Sequence, residues 1–118
     1  MRRGEIWWGA PSLPGGSRKR RPFLIVSHDS FNANERWRKV MVVHLTTVAT
    51  ERATSWQVSI GRGVGGLPST SIALRLAAEC AEVYTLFKAD LAEPIGTLPR
   101  ERMREIDRAL GVALGLGG

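Results

Sequence analysis

Four consecutive cations, Arg18-Lys19-Arg20-Arg21, follow the stretch Pro11-Ser12-Leu13-Pro14-Gly15-Gly16-Ser17. Proline and glycine keep such a stretch from folding regularly, so the charges sit at the end of a loop. Two readings of the pattern stand: a solvated charge run, or a flexible cationic loop suited to a polyanion such as nucleic acid. The chain carries 17 Lys and Arg against 11 Asp and Glu, and the surplus lies on this side of it. Residues 1–62 hold eleven basic and four acidic side chains, whereas residues 63–118 hold six and seven.

Other chemistries lack their residues. The two histidines, His28 and His44, are separated by a turn, no Cys and His set has zinc-ligand spacing, and no Gly-x-Ser-x-Gly elbow occurs. Metal-dependent and acyl-transfer enzymes are therefore disfavoured, and no metal or cofactor is expected. The single cysteine, Cys80, lies between Glu79 and Ala81 in an apolar stretch and reads as a small buried residue rather than a nucleophile. It cannot form an internal disulfide, which fits a reducing cytoplasm. Gly61-Arg62-Gly63-Val64-Gly65-Gly66 has the spacing of a dinucleotide-binding loop. Leu67-Pro68 follows it and no helix opens there, so the expectation is a hairpin loop.

The elements that must position these residues are short. A chain of 118 residues, 43% apolar and 24% charged, fits one domain over 1–118 with a modest single core. Apolar runs such as Phe23 to Val26 span four residues, far below the roughly 18 of a membrane-crossing helix. The start, Met1-Arg2-Arg3-Gly4-Glu5, lacks the apolar stretch of a secretory signal. Residue types and alternation predict strands over Glu5–Trp8, Pro22–His28, Val40–Thr47, Trp56–Ile60, Ser71–Leu76 and Glu82–Phe87, with Ala77-Ala78 between the last two. In the third, Val42, His44 and Thr46 share one face, and Met41, Val43, Leu45 and Thr47 the other, with one side hydrophobic. Asp29 to Asn34 reads as a turn, and Glu35 to Lys39 as a single helical turn carrying Trp37. Pro99 at a first helical position leads into Met103, Ile106, Leu110 and Leu114, the spacing of one helical face, which Gly111 weakens by about 1 kcal/mol relative to Ala. Many short strands closed by one C-terminal helix imply an α+β, mainly β domain: a small, strongly bent sheet or barrel.

A set of ordered motifs along nearly the whole chain resembles the MazF/PemK toxin endoribonucleases of bacterial toxin-antitoxin pairs. They are Arg3-Gly4-Glu5-Ile6-Trp7, Gly16-Ser17 with Arg21-Pro22, Leu24-Ile25-Val26-Ser27, Val42-Val43-His44-Leu45-Thr46-Thr47, Gly66-Leu67-Pro68 with Ser71, Ile95-Gly96-Thr97-Leu98, Asp107-Arg108-Ala109-Leu110 and Leu114-Gly115-Leu116. The resemblance implies an SH3-like β-barrel with a C-terminal helix. It also implies metal-free cleavage of single-stranded RNA by a cytoplasmic homodimer whose RNA groove is blocked by a cognate antitoxin peptide. The ribose 2′-hydroxyl would attack the adjacent phosphorus and leave a cyclic phosphate and a free 5′-hydroxyl. Such a site needs a proton acceptor, a fixed cation for the developing phosphorane charge and a donor for the leaving oxygen.

By that resemblance Arg21 matches the family's catalytic arginine and Thr46 its catalytic threonine or serine. Ser17, Arg18, Lys19, Arg20 and Thr47 are the accompanying RNA-binding candidates. An arginine, with a pKa above about 12, is a poor proton acceptor, so the base stays open. His44 is a candidate: it stands where the family commonly has proline, two positions from Thr46 on the same face. The chain also differs from the family at Arg18, where a glutamate is frequent, at Glu79-Cys80-Ala81, where one branch has Arg-Cys-Asp, and at Glu82-Val83-Tyr84-Thr85-Leu86-Phe87. Trp7, Trp8, Trp37 and Trp56 could stack on bases, with packing the commoner use; Trp7 takes the family's buried-strand position and Trp8 is the candidate for exposure. Two other functions compete: a non-catalytic toxin that poisons DNA gyrase, as the similarly folded CcdB proteins do, and a plain nucleic-acid-binding barrel.

Overall fold

The computed structural model describes residues 1–12, 19–49, 54–60 and 74–116, with only the backbone path at 47–49 and 74–75. The expected loop at 61–66 and the first residues of the strand expected at Ser71 lie outside the described residues. Six strands form one antiparallel sheet: β1 (Glu5–Gly9), β2 (Arg21–Ile25), β3 (Lys39–Ala49), β4 (Gln57–Ser59), β5 (Leu74–Phe87) and β6 (Leu91–Thr97). Their order across it is β4-β5-β3-β2-β1-β6. Helix α2 (Arg100–Ala113) begins one residue later than the sequence suggests, with Pro99 at its N-cap.

The central strands are buried on both faces, not one. Phe23, Leu24 and Ile25 of β2 and Val42 and Val43 of β3 are all inaccessible to solvent. Ile6, Leu24, Val43, Leu45, Ala78 and Cys80 pack against Ile106 and Ala109 of α2 on one side. Phe23, Ile25, Val40, Val42, Leu86 and Leu91 form a second cluster, with Trp7 and Tyr84 packed against it. Consecutive apolar residues, not a clean alternation, are what such two-sided burial requires.

Two stretches differ from the sequence expectation. The strands read at 71–76 and 82–87 are one long β5, continuous through Ala77 and Ala78 because β3 and β4 hold it from either side. In its ladder with β3, Val43 faces Val83 and Leu45 faces Ala78, so Glu82 is next in register with His44 and residues 79–81 are the extra ones, held in a bulge. β6 was not anticipated, and it contains Pro94. A proline is tolerated there because β6 is an edge strand and loses no inner ladder bond. Gly9 makes that edge possible: a Cβ on it would meet the Asp90 carbonyl oxygen and Leu91 Cδ2 at 2.8 Å each.

The connection between β2 and β3 also folds differently. Helix α1 (Asp29–Asn32) replaces the expected turn, with His28 Nδ1 accepting from the Ser30 backbone N–H at 3.0 Å. Asn32 is 3% exposed and donates to the Ser27 carbonyl at 2.7 Å and to Asp29 Oδ1 at 2.9 Å. The Ser27 hydroxyl donates to Asn32 Oδ1 and accepts from the Met41 N–H at 3.1 Å. No helix forms over 35–39. Lys88 Nζ holds the Phe31 and Asn34 carbonyls at 2.8 and 2.9 Å, and the Lys88 N–H reaches the Arg38 carbonyl at 2.8 Å. These contacts draw residue 38 into an extended path toward β3. At the other end of the chain, Arg3 fastens α2 to the sheet, donating to the Val26 carbonyl at 2.8 Å and to Asp107 Oδ1 at 2.6 Å.

Candidate active site

Arg21 opens β2 and shares its strand face with Phe23 and Ile25, because side chains alternate along a strand. The β2–β3 ladder sets Phe23 opposite His44. Alternation along each strand then puts Arg21 on the face of Phe23 and Thr46 on that of His44. Arg21, His44 and Thr46 therefore share one face of the sheet, and all three are half-buried. Strand pairing and alternation thus put the three expected residues on one face of the sheet.

β5 adds two residues that the sequence reading did not assign to the site. Glu82 Oε2 lies 2.9 Å from His44 Nε2, and the Tyr84 hydroxyl donates to the same carboxylate oxygen at 2.8 Å. The Tyr84 ring meets the His44 ring edge-on, with centroids 5.8 Å apart and planes at 71°. The His44–Glu82 contact is close in distance but out of line with the ring N–H, which leaves Nε2 enclosed without an aligned hydrogen bond. Burial raises the Tyr84 phenol above its ordinary value, the hydrogen bond to Glu82 and its charge add to this, and the Arg21 guanidinium opposes it. Arg21 thus acts electrostatically on the same cluster. The available signal was the spacing of Glu82 and Tyr84, two apart on one strand face. The β3–β5 register that brings them to His44 has no local signature.

The remaining candidates divide. Arg20 forms an ion pair with Glu93 of β6, and its guanidinium carbon stands 4.8 Å above the Trp8 ring. Lys19 is exposed. Ser17 and Arg18 lie outside the described residues; Thr47 sits on β3 opposite Leu76, with its side chain also outside them. Among the tryptophans, Trp37 and Trp56 are the exposed ones, at 48% and 40%. Trp8, expected to be the exposed candidate, is half-buried, because β1 is flanked by β2 and β6 and Arg20 covers the ring.

Glu79 is occupied elsewhere, accepting from Gln57 Nε2 at 2.7 Å. Cys80 is fully buried, and burial together with the charge of Glu79 pushes its thiol up to about 11, as expected of a structural cysteine. Among the described residues no three His, Cys, Asp or Glu side chains gather closely enough to hold a metal ion. Hollows of about 300 Å³ between β4 and α2 and about 440 Å³ beside Trp37 and Phe87 lie away from Arg21 and Thr46. Among the described residues no helix is long and apolar enough to cross a membrane.

The fold is one seen in solved bacterial toxins. An endoribonuclease in complex with its cognate antitoxin, from a mycobacterial species, superposes with a TM-score of 0.76 at 26% identity, covering 100% of this chain and 98% of that one. The Mycobacterium tuberculosis toxin MazF-mt6 shares the fold at a TM-score of 0.74 and 23% identity, over 97% of this chain and 99% of that one. The profile of PemK-like, MazF-like toxins of type II toxin-antitoxin systems matches residues 2–114, and the chain belongs to this family. It is 32% identical over 116 residues to the endoribonucleases MazF2 of Mycobacterium bovis and MazF6 of Mycobacterium tuberculosis, spanning 97% of this chain and 96% of theirs.

Proposed function

We propose that this toxin is a metal-independent, sequence-selective endoribonuclease that cuts single-stranded RNA in the cytoplasm, by attack of a ribose 2′-hydroxyl on the neighbouring phosphorus. The observation that carries this reading is the β2–β3 register, which sets Arg21, His44 and Thr46 on one face. The names of the relatives, endoribonucleases along nearly the full chain, support it.

In this reading Arg21 binds the scissile phosphate through its planar fork and stabilises the charge that builds on it. Thr46 donates its hydroxyl to the same phosphate. His44 accepts the 2′-hydroxyl proton, a role within reach of a histidine near neutral pH. The new 2′-oxygen–phosphorus bond displaces the 5′-oxygen, which takes a proton from solvent. Lys19, Arg20, Thr47 and the loop residues Ser17 and Arg18 would steer the rest of the strand. The toxin acts as a homodimer, and it is silenced by a cognate antitoxin; the related endoribonuclease solved with its own antitoxin supports the second of these.

The test is incubation of the purified protein with a long single-stranded RNA in excess EDTA, beside Arg21→Ala and Thr46→Ala. Fragments with cyclic-phosphate and 5′-hydroxyl ends from the wild type, and none from the variants, are expected. Intact RNA from a folded, antitoxin-free protein would defeat the reading and direct attention to gyrase poisoning or simple binding. Light scattering that shows a monomer at micromolar concentration would defeat the dimer.

A further inference from the structure

Val42 faces Tyr84 and Val43 faces Val83 across the β3–β5 ladder, and the next step of that register brings Glu82 to His44. Strand pairing thus delivers a carboxylate to the histidine, and residues 79–81 bulge just beyond it. Among the described residues, the charged and titratable groups around His44 are Glu82 and Tyr84 from β5, Glu79 in the bulge beyond Glu82, and Arg21 from β2, with apolar Phe23 directly opposite. Glu79 is held by Gln57, so Glu82 is the carboxylate in contact with the ring. Tyr84 in turn fixes the orientation of Glu82 by donating to Oε2 at 2.8 Å.

Resting on the ribonuclease reading above, we propose that Glu82, oriented by Tyr84, is a positioning residue that keeps the His44 proton on Nε2 and leaves Nδ1 as the unprotonated nitrogen that takes the RNA 2′-hydroxyl proton. A neutral imidazole has one donor and one acceptor nitrogen, and the partner of one decides the role of the other. A carboxylate beside Nε2 selects the Nε2–H form and stabilises the imidazolium that appears once the proton has moved. The bent approach seen between Nε2 and Glu82 straightens when substrate seats the ring, as active-site hydrogen bonds commonly do. The step balances without a further reactant: the proton passes from the 2′-hydroxyl to Nδ1, the 2′-oxygen bonds phosphorus, the 5′-oxygen leaves and is protonated by water, and the imidazolium returns its extra proton to solvent. Arg21 offsets the negative charge that Glu82 brings close to the phosphate.

Two measurements test this on the intact protein, with thermal unfolding as the check that each variant folds. Nitrogen-15 NMR of the histidine side chains is expected to show His44 protonated on Nε2 in the wild type, with that tautomer lost or diminished in Glu82→Gln. Cleavage kinetics are expected to show a fall of about tenfold or more in kcat for Glu82→Gln at little changed KM, partial recovery in Glu82→Asp, and a smaller fall in Tyr84→Phe. The kcat/KM profile against pH is recorded alongside, and Glu82→Gln is expected to depart from the wild-type profile. Glu79→Gln leaves both readouts unchanged. A wild-type tautomer and pH profile in Glu82→Gln, with Arg21→Ala inactive, would overturn the role of Glu82 and leave RNA cleavage standing. A folded wild type that cuts no RNA would remove the ribonuclease reading and this proposal with it. Should Glu82→Gln fail to fold, the same tautomer and pH readouts in Tyr84→Phe decide, and no change there overturns the proposal.

Discussion

Phe23 and His44 face each other across the β2–β3 ladder, and that single pairing fixes the phase of every side chain on both strands. One residue of slip would send His44 and Thr46 to the face packed by α2, away from Arg21. The inaccessible side chains of Leu24, Ile25, Val42 and Val43 hold the register, since a slip would bring buried and polar positions into exchange. The site is thereby anchored by the core rather than by its own polar contacts.

Arg21 is expected to be irreplaceable by another cation. Arg21→Ala should lower kcat by about 100-fold or more, the usual cost of removing a preorganised donor for developing negative charge. Arg21→Lys should recover little, because an ammonium cannot make the bidentate contact of the guanidinium plane. Single-turnover cleavage rates check both.

The buried Ser27–Asn32 pair should respond as a structural element. Asn32→Ala leaves the Ser27 carbonyl and hydroxyl without their partner and should cost about 1–3 kcal/mol. A thermal unfolding midpoint lower by several degrees is the expected readout, with residual cleavage activity at permissive temperature.

Opposite signs are expected for two glycine substitutions. At Gly9 an added Cβ meets the backbone of Asp90 at 2.8 Å, so Gly9→Ala must push β6 outward and destabilise by about 1–3 kcal/mol. Gly111 has nothing within 4 Å of its Cβ position and lies in α2, so Gly111→Ala should stabilise by up to about 1 kcal/mol. Denaturant titration of the two variants side by side separates them.

Acid should weaken the protein in part through Asp29. Its carboxylate accepts from the Arg3 backbone N–H at 2.6 Å and from Asn32 at 2.9 Å, which holds it below the usual carboxylate range. A depressed folded value adds stability that is present above the unfolded value near 4 and disappears as the pH falls through the folded one. Asp29→Asn should therefore lower the melting temperature near neutrality and flatten its fall toward about pH 3, as followed by thermal scans across pH.

Cys80 should resist modification until the sheet opens. With the thiol buried and its pKa pushed to about 11, iodoacetamide at about pH 8 should leave the native protein unlabelled and label it fully in denaturant. Mass spectrometry reads the outcome directly.

The elements legible in the sequence were those whose signal is local. Alternating and β-branched residues marked β1, β2 and β3, and the three- and four-residue spacing of Met103, Ile106 and Leu110 marked α2 to within a residue at its start. Arg21 and Thr46 were legible as candidates only through the ordered motifs shared with the MazF/PemK family, since their residue types alone read as a solvated cation and a strand former, and His44 followed from its place two positions from Thr46. What the tertiary structure alone decided depended on neighbours distant in sequence. Ala77-Ala78 becomes strand only between β3 and β4, Leu91–Thr97 becomes strand only beside β1, and residues 35–39 make one turn at Glu35 and Arg36 and then run on to β3 rather than forming a helix, with Lys88 gripping the segment before them. The approach of Glu82 and Tyr84 to His44 belongs to the same class. A strand's two-residue period can say which side chains share a face, but which residues of another strand they meet is set by the register between the two strands, and no single segment encodes it.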